Sequence, residues 1–180
     1  RKDRLEWLSK KLSDGEYQSK DLVRALRAVS SLEWEDSLEL WGEPRARHLT
    51  MGIDMAVWSL DHIPVEGSDW PILIGIQSKE VEWNIAALKF EAPEGEPWLV
   101  NSVEPKLLSR DHEIFLDTIN SNSRLFVQVT LSGGSDSLDI HLSGIVDGEP
   151  MAAKVPKTIY RNDSAHISVN TADDISQSEE

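Results

Sequence analysis

The sequence predicts an α+β fold, in which an antiparallel β-sandwich carries an N-terminal helical hairpin and one short helix between strands. Apolar residues recur at helical spacing through the first thirty residues. From residue 49 the apolar period changes to two, and clusters of Pro, Gly, Ser and Asp divide six short alternating runs. Strands of this length and spacing are typical of two packed antiparallel sheets. A chain of 180 residues is long enough to bury one such core.

Two amphipathic helices are predicted at the start of the chain, with a stop signal at Ser13-Asp14-Gly15 between them. The second helix begins near Ser19, a residue suited to capping, and places Asp21 in its first turn. The apolar stripes consist of Leu5, Leu8 and Leu12 in the first helix and Leu22, Val23, Leu26 and Val29 in the second. We expect this hairpin to pack on the rest of the chain or on a partner. A local helix over residues 34–41 should end at Gly42 and Pro44.

The strands follow from alternation of apolar and polar residues. The predicted strands cover residues 49–60, 72–77, 81–90, 98–103, 125–131 and 138–142. In the third of these, Val81, Trp83, Ile85 and Ala87 alternate on one face, which favours the core. Between the fourth and fifth strands the helical spacing of Ile114, Phe115, Thr118 and Ile119 predicts the short helix. Gly133 and Gly134 form a polar turn between the last two strands.

Three regions follow from this pattern. Residues 1–48 form an N-terminal helical segment, residues 49–160 form the β-sandwich domain, and residues 161–180 form a flexible acidic tail. The tail has little to bury and contains one weak strand at residues 167–169. The chain opens at Arg1, and we expect that an upstream piece was removed or left out.

Charge and composition narrow the function classes. Residues 1–30 hold eight Lys/Arg and five Asp/Glu (net +3), and the remaining residues hold ten against twenty-seven (net −17). An acidic body repels phosphate backbones, so nucleic acid is an unlikely partner. Without cysteine there is no disulfide, thiolate nucleophile or zinc-thiolate site. No apolar run is long enough to span a membrane.

Catalytic patterns are weak. The five histidines show no metal-binding spacing, and the chain predicts no metal and no cofactor. Asp139 and His141 share the exposed face of the last strand, where Ser135, Ser137 or Ser143 could complete a triad. No Gly-x-Ser-x-Gly motif supports that triad. The prediction is therefore that the protein is not an enzyme.

Large apolar side chains are the candidate binding residues. Seven tryptophans are the one compositional excess, and exposed indoles serve as interface anchors whereas buried ones build the core. The candidates are Trp70, Trp83 and Trp98 in or beside the strands, and Leu22 and Leu26 on the second helix.

Three segments carry a family resemblance: PILIGIQSKEVEWNI, LKFEAPEGEPWLV and IFLDTINSNSRLFVQVTLSGGSDSLDIHLSGI. The first is similar to a strand, turn and strand of that family, the second to its strand, acid, Gly/Pro turn and Trp, and the third to its short helix, polar break and closing hairpin. Through these segments residues 50–146 resemble the VasI/TagO family, exported accessory proteins associated with type VI secretion. The cysteines that the family usually carries are absent here, and residues 1–30 have no match in it. The resemblance implies a periplasmic or envelope location; without it the protein would be cytoplasmic.

We therefore predict a non-enzymatic protein-interaction or accessory module whose partner is another protein. One alternative is an acidic inhibitor or DNA mimic, related to phage or defence, that binds a nucleic-acid enzyme through carboxylates such as Glu33, Glu35, Asp36 and Glu39. A hydrolase acting through Asp139 and His141 is the third hypothesis.

Overall fold

Three helices precede a series of strands in the computed structural model, which describes residues 2–29, 31–61, 67–93, 96–134 and 136–162. The helices are α1 (Lys2–Ser13), α2 (Ser19–Val29) and α3 (Trp34–Trp41). The strands are β1 (Ala46–Thr50), β2 (Ile53–Ser59), β3 (Trp70–Ser78), β4 (Trp83–Glu91), β5 (Leu99–Glu104), β6 (Leu108–Arg110), β7 (Glu113–Ile119), β8 (Ser123–Ser132), β9 (Ser137–Val146), β10 (Glu149–Lys154) and β11 (Ile159–Tyr160).

The strands form two antiparallel sheets. The first has the order β1-β2-β3-β8-β5 and the second the order β10-β9-β4-β7-β6, with β11 added beside β9. Their inner faces share one apolar core, to which the first sheet contributes Ile72, Val127 and Val129 and the second Leu88, Phe90 and Ile140. The predicted combination of N-terminal helices with an antiparallel sandwich is confirmed at this level.

The three helices cover the outer face of the first sheet. Their apolar stripes meet the outward side chains of β2, β3 and β8 in a second core, separate from the one between the sheets. This core contains Leu5, Leu8, Leu12, Leu22, Ala25, Leu26, Val29, Trp34 and Leu38 from the helices and Ala56, Trp58, Leu73 and Phe126 from the strands. The helical hairpin therefore packs on the rest of the chain, as one of the two expected arrangements.

Gly75 permits the close approach of α3 to the sheet. A Cβ atom at this position would lie 2.7 Å from the Phe126 ring and 3.1 Å from the Trp34 ring. The Trp34 and Phe126 rings pack against each other with centroids 5.7 Å apart. The missing side chain thus leaves the space in which the aromatic pair sits.

A buried carboxylate fixes α3 to the first two strands. The indole Nε1 of Trp34 donates a hydrogen bond of 2.9 Å to Asp54 Oδ2. Arg47 donates to both oxygens of the same carboxylate, from Nε at 3.1 Å and Nη2 at 2.7 Å. The hydrogen bonds to Asp54 raise the pKa of Arg47 above its usual value. One side chain thereby joins a helix, β1 and β2.

The predicted strand over residues 49–60 is wrong as a single element. The structure has a hairpin there, since β1 and β2 pair antiparallel around a turn at Met51 and Gly52. Both turn residues have positive φ, 48° and 78°. Glycine adopts that conformation readily, which makes the reversal possible in so short a loop.

The predicted short helix between strands is also wrong, because residues 113–119 form β7. Ile114 and Leu116 point inward in ordinary alternation. Asp117 then adopts a φ of 63° and inserts an extra residue, after which Ile119 points inward. A β-bulge shifts the phase of alternation in this way. Ile114 and Ile119 both point inward although they are five residues apart, because the bulge lies between them.

A bulge likewise changes the predicted inward face of β4. Ile85 has a φ of 51°, and the pairing of β4 with β7 and β9 shifts register at this point. Trp83 points inward as predicted, but beyond the bulge the inward residues are Ala86, Leu88 and Phe90. The assignment of Ile85 to the core face is wrong, since its side chain is 71% exposed.

Two predicted boundaries fall inside ordered structure. The limit between residues 48 and 49 lies within β1. Arg161, assigned to the tail, is buried and donates to Asp61 Oδ2, to Ser68 O and Oγ, and to Asp69 O at 2.5–3.0 Å. The predicted weak strand at residues 167–169 and the rest of the tail lie outside the described residues.

Candidate functional site

A groove lies between α2 and the start of β8, on the helix-covered side of the first sheet. It has a volume of about 310 Å³. Its apolar lining comes from Val23 and Leu26 of α2, Leu125 and Phe126 of β8, and Pro105, which follows β5. Two cationic side chains, Arg27 and Arg124, complete the lining.

The arrangement of the first sheet explains why this groove stays open. The buried contacts of the helices reach β2, β3 and β8. The edge strand β5 lies beyond β8 in the sheet, and none of its described residues belongs to the buried cluster under the helices. The layer of helices therefore ends over β8, and the groove lies beside the uncovered edge strand β5.

The sequence of α2 places cations along the outer side of this groove. Lys20, Arg24 and Arg27 follow each other at spacings of four and three, which puts them on one side of a helix. Together with Val23 they line a second depression of about 370 Å³. Val23 and Arg27 border both depressions, so the two form a continuous surface. We call the surface formed by both depressions the α2 groove. Its lining residues are Lys20, Val23, Arg24, Leu26, Arg27, Pro105, Arg124, Leu125 and Phe126.

The one acidic residue of α2 faces away from this groove. Asp21 Oδ2 accepts hydrogen bonds from Gln18 N and Lys11 Nζ, both at 3.2 Å. These hydrogen bonds, from the backbone first and then from Lys11, lower the pKa of Asp21. The carboxylate is thereby engaged with α1, and the groove side of α2 carries cations.

Arg124, in the lining of the groove, has a guanidinium nitrogen that lacks a hydrogen-bond partner in the described part of the chain. Its Nη1 atom is buried and has no hydrogen-bond partner among the described residues. Buried polar atoms in folded proteins almost always have such a partner. The side chain lies on β8, opposite Gln77 of β3, and lines the groove beside Arg27.

The three candidate tryptophans lie in the core between the sheets. Trp70 and Trp98 pack edge to face with ring centroids 5.4 Å apart. Their Nε1 atoms donate to Ser59 Oγ at 2.9 Å and to Ser137 O at 2.7 Å. Trp83 is fully buried as well. All three are therefore core residues of the sandwich rather than exposed binding anchors.

The two candidate leucines are also buried. Leu22 lies in the second core, under the helices. Leu26 belongs to the same core, and the edge of its side chain lines the α2 groove. Leu22 and Leu26 are therefore each one residue before a position that lines the groove, Val23 and Arg27, and Leu26 also contributes to its floor.

Asp139 and His141 of the hypothetical triad have different partners. Asp139 is buried, against the prediction of an exposed position, and accepts a 2.7 Å hydrogen bond from Thr158 Oγ1. Its other oxygen lies 3.4 Å from Lys154 Nζ. His141 Nε2 lies 3.4 Å from Glu91 Oε2 instead. Ser135, one of the three candidate nucleophiles, lies outside the described residues.

The four carboxylates of the inhibitor hypothesis occupy α3 and the residue before it. Glu33, Glu35, Asp36 and Glu39 are all exposed. Glu35 lies 3.3 Å from Arg47 Nη2. The four carboxylates are therefore exposed on one short segment, and Glu35 is paired with Arg47 of β1.

The described residues form neither a cluster suited to a metal ion nor a helix suited to cross a membrane. Within them, no group of three or more His, Asp or Glu side chains is placed to hold a metal ion. The helices that are described fall short of the length and apolar character needed to cross a bilayer.

Sequence reasoning missed Val23, Arg24, Arg27, Pro105 and Arg124 as a group. The one available signal was the charge contrast between residues 1–30 and the acidic remainder. That contrast points to the helices but cannot place Arg124, which is about a hundred residues away, against them.

No protein-family model matches the chain, and no curated protein matches it in sequence. Solved structures similar to it include a GH20 exo-β-N-acetylglucosaminidase from Vibrio harveyi, at 13% identity and a TM-score of 0.36, over 58% of this chain and 17% of that one. The GAE domain of GGA2p from Saccharomyces cerevisiae is similar at 10% identity and a TM-score of 0.40, over 66% and 99% of the two chains. A FixG-related protein from Vibrio parahaemolyticus is similar at 11% identity and a TM-score of 0.34, over 63% and 99%. The match spans less than a fifth of the glycosidase.

Proposed function

We propose that the chain is a non-enzymatic protein-interaction module that binds a segment of another protein in the α2 groove. The observation that carries this proposal is the composition of the groove, an apolar floor bordered by cationic side chains on a molecule with a net charge of −14. Apolar floors with a polar border are typical of peptide-binding grooves. The separate partners of Asp139 and His141 favour this function over a hydrolase.

The resemblance of residues 50–146 to the VasI/TagO family extends the proposal to a location. The bound protein would then be a component of a secretion machine in the cell envelope, and the chain an accessory to it. The sequence segments quoted above support this extension.

A second candidate function is the acidic inhibitor that occupies the nucleic-acid site of an enzyme. The exposure of Glu33, Glu35, Asp36 and Glu39 favours it. Its partner would contact α3 and carry positive charge, whereas the partner of the first proposal contacts α2.

Site-specific photo-crosslinking in the source cells tests these proposals. The photoreactive residue p-benzoylphenylalanine is placed at Val23 in the groove, at Asp36 on α3, or at Glu149 on the second sheet as the control. We expect a discrete adduct from Val23 that disappears when Arg24→Glu and Arg27→Glu are combined, and no such adduct from Glu149. Both arginines are exposed, so the fold should tolerate the exchange.

Other adduct patterns decide against the groove. Adducts from Asp36 without any from Val23 would replace the first proposal with the inhibitor. Equal adducts from Val23 and Glu149 would mean that other proteins contact the surface without preference for the groove. That result would contradict the proposal of a binding site there.

A further inference from the structure

We infer that the segment bound in the α2 groove is acidic and amphipathic, with a carboxylate on Arg124 and apolar side chains on the groove floor. The inference rests on the proposed function, because it names the chemistry of the occupant of the same groove. Three independent features of the groove lead to it.

The first feature is the local charge. Lys20, Arg24, Arg27 and Arg124 border the two connected depressions. The residues after 30 carry a net charge of −17, which opposes an acidic ligand at long range. At physiological salt, however, interactions between exposed charges fade beyond about 8 Å. A segment lying in the groove therefore experiences the cationic border much more than the acidic body.

The second feature is the buried nitrogen of Arg124. Its Nη1 has no partner among the described residues, and an ionised donor kept from water without an acceptor is costly. A carboxylate is the acceptor that a guanidinium binds with the most favourable geometry and charge. The Arg124 side chain lines the groove, so an Asp or Glu side chain bound there lies beside the guanidinium and offsets part of this cost through its charge. A neutral ligand of the same shape lacks that charge.

The third feature is the shape and lining of the groove floor. Val23, Leu26, Leu125, Phe126 and Pro105 provide the apolar part of a volume of about 310 Å³. This volume lies at the low end of the roughly 300–1,000 Å³ of small-molecule sites. It suits a few side chains of a peptide, while the depression along α2 accepts the rest of the segment. Apolar and acidic side chains must then alternate between floor and border.

Fluorescence anisotropy with three labelled peptides of equal length tests the inference on the full chain. The peptides share the same leucine positions and differ at the polar positions, which carry Glu, Gln or Lys. We expect the Glu peptide to bind at least about tenfold more tightly than the Gln peptide. The difference should shrink when salt rises from about 50 mM to about 500 mM.

Two matched substitutions locate the interaction. Arg124→Gln keeps a hydrogen-bond donor and removes the charge, and we expect it to lose most of the about tenfold advantage of the Glu peptide. Arg110→Gln, at an exposed position on β6 of the other sheet, should change nothing. Arg24→Gln, at the exposed border of the groove, is a second groove variant that should fold normally and lose about two- to threefold.

Three results would contradict the inference, each in a different way. Equal affinity for the Glu and Gln peptides overturns the acidic occupant, while a crosslink from Val23 would still support the interaction module. Equal losses in Arg124→Gln and Arg110→Gln show that the peptide responds to overall charge, which also overturns the inference. If the chain sediments as a dimer that Arg124→Gln or Arg24→Gln dissociates, the occupant is a second copy of the chain and the inference is wrong.

Discussion

Ile85 has a backbone conformation that a β-branched residue rarely adopts. Its φ of 51° lies in the left-handed region, where the Cβ atom of an L-residue crowds the following carbonyl oxygen. Its side chain is exposed, so burial offers little compensation. The neighbours Trp83 and Ala86 are buried, and the bulge lets both point inward although they are three residues apart. The strain at Ile85 is therefore tied to the placement of Trp83 in the core.

Ile85→Gly should raise the free energy of unfolding by about 1 kcal/mol, because glycine adopts this conformation without the Cβ clash. Urea denaturation followed by tryptophan fluorescence measures the change. Leu108→Gly is the matched control, since Leu108 is 74% exposed on a strand and does not have positive φ. There we expect a loss of about 0.5–1 kcal/mol. Equal losses in both variants would contradict the assignment of strain to Ile85.

At the scale of elements, the α1–α2 hairpin is joined by one carboxylate. Asp21, in the first turn of α2, accepts hydrogen bonds from Gln18 N and from Lys11 on α1. A negative charge in the first turn of a helix is also favourable to the helix dipole. This contact joins α1 and α2 in addition to the apolar contacts of the core under the helices.

Asp21→Asn should lower stability at neutral pH and have a smaller effect in acid. The hydrogen bonds lower the pKa of Asp21 below its ordinary value of 3.8. The ionised carboxylate therefore stabilises the fold above that value, and this contribution is lost as the pH falls through the lowered pKa. Urea denaturation of the variant and the parent between about pH 7 and pH 2 should show their difference narrowing below about pH 4.

Asp111→Asn is the matched substitution for Asp21→Asn at neutral pH. Asp111 is exposed, and its positive φ of 54° is one that asparagine tolerates. The comparison shows what the loss of an exposed carboxylate does in the absence of the Gln18 and Lys11 hydrogen bonds that Asp21 accepts. A gap for Asp21→Asn that widens in acid would contradict the role of its ionised form.

At the scale of the whole molecule, two apolar cores share the strands of the first sheet. The inner faces of β2, β3 and β8 belong to the core between the sheets, and their outer faces belong to the core under the helices. Val127 and Phe126 are neighbours on β8 and lie in different cores. Loss of either core exposes strands that the other requires, so we expect the helices and the sandwich to unfold together.

Leu12→Ala tests this coupling. Leu12 is fully buried on α1, and its truncation should lower the free energy of unfolding by about 3 kcal/mol. Urea transitions measured by tryptophan fluorescence and by far-ultraviolet circular dichroism should coincide and shift together. Leu49→Ala, at an exposed position on β1, should change stability by less than about 0.5 kcal/mol. A separate early transition of the helices would contradict the coupling.

The sequence predicted the elements that are determined by the spacing of nearby apolar residues. The apolar stripes of α1 and α2 and the alternation in β3, β8 and β9 agree with the described structure. Two of the errors fall at Ile85 and Asp117, where a bulge changes the phase of a strand without any Gly or Pro to mark it. The α2 groove could not be predicted, because Val23 and Arg124 come to line one groove through the packing of a helix on a sheet and are far apart in sequence.

Arg161 also has a mechanical consequence. The strand before it, β11, has two residues and by itself would peel from β9 under little force. The Arg161 guanidinium, however, holds Asp61, Ser68 and Asp69 and lies 5.8 Å from the centre of the Trp70 ring. Tension applied at residue 162 therefore meets this group of contacts, and the 2.7 Å backbone hydrogen bond from Arg161 N to Asp136 O, before it reaches β11. The side-chain contacts direct part of the load to the start of β3, in the first sheet, so that the pairing of β11 with β9 does not carry it alone.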